Sequence, residues 1–145
     1  MKSVKIILTF FSLMITLQVF GQQGGDVIDG KKFHRADKKS IIQFYKNNDT
    51  YDAKIIWLMQ PKDDKGNLRL DVHNPDKNLR NRALLNLTVI SGLKYSDKKW
   101  RNGQIYLPAV GMTVDIDVVL DDNENLVIIG HKLGMTRKET LEKAD

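Results

Sequence analysis

The stretch from Met112 to Ile129 limits what this chain can fold into more than any other. Met112, Val114, Ile116, Val118 and Leu120 alternate with Thr113, Asp115 and Asp117. Asp121-Asp122-Asn123-Glu124-Asn125 then supplies a turn, and Leu126-Val127-Ile128-Ile129 returns. Alternation at period two gives an extended chain one apolar and one polar face. A single hairpin of this kind is marginal in water and needs further strands to bury its apolar face.

The rest of the chain supplies them. Ser40 to Tyr45 is β-branched and aromatic, Asn47-Asn48-Asp49 is a turn cluster, and Tyr51, Ala53, Ile55 and Trp57 alternate with Asp52 and Lys54. Ile56 and Leu58 make the end of that strand apolar on both faces, which predicts cover on both sides. Gln104 to Leu107 leads through a Pro108–Gly111 turn into the Met112 strand. Leu84 to Ile90 is a further expected strand, with Ser91 and Ser96 read as turn residues. Asp29 to His34 and Met135 to Leu141 complete about eight strands in sequential order.

This order predicts an all-β fold, an antiparallel up-and-down β-barrel, since closure removes exposed edges. An open sandwich of two small sheets is the alternative. An eight-stranded barrel is just wide enough to be filled by side chains or to hold one small ligand. The expected inward residues are Tyr51, Ile55, Trp57, Met112, Ile116 and Leu120. Their size decides between the two.

The first residues read as an export signal. Lys2 and Lys5 precede an uncharged apolar run from Ile6 to Phe20, and a polar Gln22-Gln23-Gly24-Gly25 follows. That run is shorter than the roughly 20 residues needed to span a bilayer, so cleavage after Gly21 is expected. The organisation expected is then a signal at 1–21, a flexible segment at 22–29 and one barrel domain at 30–145. The expected compartment is the periplasm, with the extracellular medium as the alternative.

The chain has no cysteine, so neither a disulfide nor a lipid anchor is expected after cleavage, and stability must come from an apolar core. Without Lys2 and Lys5, 21 basic residues face 18 acidic ones, which leaves a net charge of +3. The two signs are interspersed, with no basic run or basic-aromatic motif. A nucleic-acid partner is therefore not expected. The Asn86-Leu87-Thr88 sequon falls within an expected strand and is disregarded.

Between Gln60 and Arg82 lies a connection too long for a hairpin, and such loops are often lids or binding loops. Its polar set of Asp71, Asn74, Asp76, Arg80 and Arg82 is dense. Asn74 as cap, Pro75 at the first helical position and Asp76 near the dipole's positive end predict one short helix or turn near residues 75–81. The arginines have two readings. They tie the loop to carboxylates and carbonyls over the barrel mouth, or one points inward and clamps an anionic head. Trp57, Trp100 and Tyr106 are barrel wall or ligand contacts.

These residues carry a family resemblance. Ile55-Ile56-Trp57-Leu58 with Pro61 and Asp63-Asp64-Lys65-Gly66 form one piece, and Asn74-Pro75-Asp76, Leu79-Arg80, Arg82 and Leu84-Leu85 a second. Trp100, Gly103, Ile105-Tyr106, Pro108, Gly111 and Thr113 form a third, and Gly130 with Leu133-Gly134-Met135-Thr136 a fourth. In this order they resemble the bacterial secreted family catalogued as domain of unknown function 2147. The resemblance implies a lipocalin-like (calycin-like) barrel and no reaction. The chain departs from the family at both ends. Gly30 is followed by Lys31-Lys32-Phe33 instead of glycine-any-tryptophan, and Glu139-Thr140-Leu141 stands where tryptophan-any-arginine is usual. Phe33 and Arg137 are expected to replace the family's barrel-closing pair with a weaker cation–π contact.

Catalytic motifs are missing from the sequence. His34, His73 and His131 have no ligand spacing, and Asp63, Asp64, Asn67 and Asp71 lack the closing glutamate of a calcium loop. No serine sits in a nucleophile elbow and no glycine-rich phosphate loop occurs. His73 beside Asp71 and Asp76 is the one candidate acid–base group. The expectation is thus a protein that is not an enzyme and uses no cofactor or metal. It would bind or carry a small amphipathic or apolar ligand, with Trp57, Asp71, Asn74, Asp76, Arg80, Arg82 and Tyr106 as candidate ligand or loop residues. The alternative is an envelope structural or protein-interaction module with a side-chain-filled barrel.

Overall fold

The computed structural model describes residues 24–145. Its eight strands are β1 (Lys32–His34), β2 (Ser40–Asn47), β3 (Thr50–Leu58), β4 (Thr88–Ser96), β5 (Lys99–Leu107), β6 (Met112–Leu120), β7 (Leu126–Lys132) and β8 (Met135–Lys143). They pair antiparallel in chain order and β8 pairs with β1, closing the barrel. The up-and-down expectation holds, and the sandwich does not form.

The strongest hairpin forms as its alternation demands. Val118 faces Ile128 and Leu120 faces Leu126 across β6 and β7, and Asp121 Oδ1 accepts from the Asn123 and Asn125 backbone amides at 2.9 and 2.8 Å to fix the turn. β4 begins and ends later than expected. Leu84 to Leu87 belong to the preceding loop, with Leu87 buried on the core, and Ser91 lies within the strand. Gly92, at φ 75°, breaks the alternation there, which hid the strand's second half. The segment at 22–29, expected to be flexible, contains from Gly25 to Ile28 a 3-10 turn whose Ile28 is fully buried. The expected export signal at 1–21 lies outside the described residues.

Short connections at Asn48–Asp49, Asp97–Lys98 and Asp121–Asn125 close one end of the barrel. Trp100 seals it from inside. Its ring packs with Tyr95 and Tyr51 at 5.0 and 6.5 Å between centroids, and its Nε1 donates to the Gly25 carbonyl at 3.2 Å. A Cβ on Gly25 would lie 2.8 Å from Tyr51 Oη and from Tyr95 Cβ, so only glycine passes there. Tyr51 donates to Asp26, which also accepts from Lys46 at 2.8 Å. Burial, then the Asp26 carboxylate, push the Tyr51 hydroxyl's pKa well up.

Inward residues fill the space between the ends. Phe44, Ala53, Ile90, Leu93, Val118, Leu126 and Leu141 have no solvent-accessible surface. Of the residues expected inside, Tyr51, Ile55 and Ile116 are buried and Leu120 is half-buried, whereas Trp57 and Met112 are 42% and 37% exposed. A bulge opposite Ile41 and Ile42 shifts the register of β3 at Trp57, which puts the indole outside.

The closing seam is short, with Phe33 opposite Lys143 and His34 opposite Glu142. Phe33 is buried edge-on against Phe44, with 5.8 Å between centroids. Arg137 is exposed opposite Gly130 on β7, so the expected Phe33–Arg137 contact does not form. Arg35 instead binds Glu139 through both arms, Nε to Oε1 and Nη2 to Oε2, each at 2.8 Å. The Lys38–Glu142 pair adds to it.

Candidate functional site

The barrel's other end carries the long β3–β4 connection, residues 59–87, which acts as a strap. Two isolated bridges order it, Lys62 with Leu68 and Leu70 with Ala83. Its anchor is Asp71, fully buried although ionisable. Oδ1 accepts from the Tyr106 hydroxyl at 2.6 Å, and Oδ2 from Asn74 Nδ2 at 2.8 Å and Arg82 Nε at 2.9 Å. The Asp71 backbone amide donates to the Arg82 carbonyl at 3.0 Å. The Arg82 guanidinium also lies 5.6 Å from the centre of the Tyr106 ring.

Burial alone would push the Asp71 carboxyl up. The three side-chain donors and the Arg82 charge outweigh it and hold the group below the usual carboxylate range. The Tyr106 hydroxyl moves upward, through burial first and its bond to Asp71 second. An anion fully buried and held by three side-chain donors is a structural anchor and presents no oxygen to solvent.

The other candidates extend this network or lie apart from it. Asn74 Oδ1 accepts from the Asp76 amide at 2.9 Å, and its carbonyl accepts from Arg80 Nε at 2.7 Å. Asp76, not Asn74, caps the short turn, which spans Lys77–Leu79, by accepting from the Asn78 amide at 2.9 Å. Arg80 and Arg82 therefore follow the loop-tying reading, and neither clamps into the barrel. His73 is exposed and takes no part in the Asp71 network. Trp57 has no aromatic partner among the described residues. Among those residues no three His, Asp or Glu side chains converge as metal ligands.

Tyr106 sits on β5 between the buried Ile105 and the half-buried Leu107, and its cross-strand partner Thr113 is exposed. The Asp71 part of the strap is thus pinned to the outer wall at the β5–β6 corner. Gly111 makes the approach feasible. At φ 63°, a Cβ there would lie 1.9 Å from the His73 carbonyl oxygen. A shallow cleft of about 260 Å³ remains between strap and wall, bordered by Asn74, Arg82, Gln104, Tyr106 and Thr113.

Sequence reasoning missed what faces outward. Leu68, Leu70 and Val72 are 50%, 36% and 55% exposed, while Asp71 between them is buried and Arg69 is tied back to the Gln60 carbonyl at 2.8 Å. The alternation of 68, 70 and 72 was visible, but its apolar face points to solvent.

A closed, eight-stranded, up-and-down barrel sealed at one end and strapped at the other defines a lipocalin-like protein. The structure is similar to that of protein HP1028 from Helicobacter pylori, described as belonging to the lipocalin family. The TM-score is 0.65 at 22% identity, over 81% of this chain and 83% of that one. Residues 30–143 match the family described as "Uncharacterized protein conserved in bacteria (DUF2147)", and the chain belongs to that family. No curated protein matches the chain.

Proposed function

We propose that this protein is an exported, non-catalytic binding module whose barrel is a filled scaffold and whose working surface is the strapped end. The observation that carries this reading is the absence of accessible surface on Phe44, Ala53, Ile90, Leu93, Val118, Leu126 and Leu141. A ligand deep in the barrel would have to displace packed aromatic and aliphatic groups, each costing about 2–5 kcal/mol to remove. The buried Asp71 anchor argues in the same direction, since it fixes a surface and presents no reactive group to solvent.

A second reading, carriage of a small amphipathic molecule, draws on the lipocalin-like fold and on one feature of the mouth. Leu58, Leu84, Leu107 and Val114 are only half-buried there. They could hold an acyl tail without entering the packed interior. Mass spectrometry of the protein purified gently from its native envelope separates the two. The filled-scaffold reading expects the mass of the chain alone, unchanged after solvent extraction. A stoichiometric small molecule that extraction removes would replace it with the carrier reading.

A further inference from the structure

The large apolar side chains left in solvent gather at one end of the barrel. Leu68, Leu70, Val72, Val110, Leu133 and Met135 all project from connections or strand ends there, with Leu133 88% exposed. Among the described residues, Val27 is the one exposed large apolar side chain at the sealed end. These connections are neighbours. Gly111 lies against the His73 carbonyl, joining the strap to the β5–β6 turn, and Lys132 Nζ reaches the Thr113 carbonyl at 3.5 Å, joining that turn to the β7–β8 turn. Patches of this kind mark interaction sites.

Charge separates along the same axis. Residues 57–87, 108–113 and 132–138 together carry nine Lys and Arg against four Asp, a net of +5, although the chain from residue 22 onward carries only +3. The rest of the barrel is therefore net acidic. Single aliphatic tips spaced among Lys and Arg suit a lipid interface, where tips enter the acyl boundary and cations meet anionic headgroups. A protein hot spot is instead a clustered Trp, Tyr and Arg core. The one exposed tryptophan here, Trp57, has no aromatic neighbour.

We propose that the strapped end docks on an anionic phospholipid bilayer, with Val72, Val110 and Leu133 as inserting tips and the surrounding Lys and Arg on the headgroups. The Asp71–Arg82–Tyr106 anchor has a specific task in this proposal. By burying the Asp71 side chain it turns the adjacent Leu70 and Val72 outward. The proposal rests on the filled-scaffold reading for its orientation, but vesicle binding and bound-ligand mass are separate measurements, so either can fail alone.

The test is co-sedimentation of the envelope-purified protein with vesicles of phosphatidylcholine mixed equally with phosphatidylglycerol, and with vesicles of phosphatidylcholine alone. Partition onto the anionic vesicles is expected, weaker on the neutral ones and weakened by salt. The triple variant Val72→Ser, Val110→Ser, Leu133→Ser should lower partition by roughly tenfold or more with an unchanged melting temperature. Val27→Ser should bind as the parent does. If the triple variant does not fold, Leu133→Ser alone takes its place. Absence of partition onto either vesicle overturns the proposal, as does equal partition onto both or full binding by the variant. Self-association that the variant abolishes, without vesicle binding, would assign the surface to a second copy and likewise overturn it.

Discussion

Asp71 shows how one side chain organises a long connection. Its carboxylate draws donors from Asn74, Arg82 and Tyr106, which span the strap and the barrel wall. Asp71→Ala should cost about 3 kcal/mol, because it leaves the arginine and phenol without their buried partner. Tyr106→Phe should cost about 1.5–3 kcal/mol, the range for a hydrogen bond to a charged group. Urea denaturation monitored by fluorescence measures both. The linkage to pH has a definite sign. The folded pKa of Asp71 lies below its unfolded value, so its contribution is complete above about pH 4. It is lost as pH falls through the lower, folded value. The urea midpoint of the parent should therefore fall in acid more steeply than that of Asp71→Asn.

Among the elements, β1 is the weak member. It has three residues and meets β8 at only two register positions. The Arg35–Glu139 fork stiffens the seam from the side, with the two side chains 21% and 29% exposed. Partial exposure screens the pair, so Arg35→Ala should cost only about 1 kcal/mol globally. Its effect should be local, with faster amide exchange at Phe33, His34 and Lys143 and no change in β6 or β7. Uniform acceleration across all strands would show that the fork supports the whole barrel. The later half of β4 was not legible from sequence because Gly92 broke its period. β6 and β7 were legible because no bulge interrupts their pairing.

For the whole molecule the packed interior is the governing fact. Phe44 is fully buried and touches Phe33 edge-on. Phe44→Ala should cost about 3–5 kcal/mol, measured by thermal or urea unfolding, because the neighbouring strands cannot collapse into the space. A cost under about 1 kcal/mol would mean that the interior already contains slack, which would favour the carrier reading. The sealed end and the strapped end divide the remaining roles. Tight Asn- and Asp-rich turns and Trp100 close one, and the other displays apolar and basic side chains.

The sequence alone determined the barrel. Period-two alternation, turn clusters at regular spacing and a long polar connection are local signals, and local geometry is enough to order sequential hairpins. It also picked out Asp71, Asn74, Asp76, Arg80 and Arg82 as one organised loop, through composition and family resemblance, with Trp57 and Tyr106 as separate candidate residues. Only the tertiary structure decided which way side chains face. Trp57 turned outward because a bulge in the pairing with β2 shifted its register. Arg137 stayed far from Phe33 because the stagger of β8 against β7 sets it opposite Gly130. The alternating Leu68, Leu70 and Val72 gave no hint that Asp71, set between two of them, is the buried side chain. That depends on Tyr106 and Arg82, which reach Asp71 across 35 and 11 residues of chain, and pairing over such distances is fixed by the closed barrel and not by local pattern.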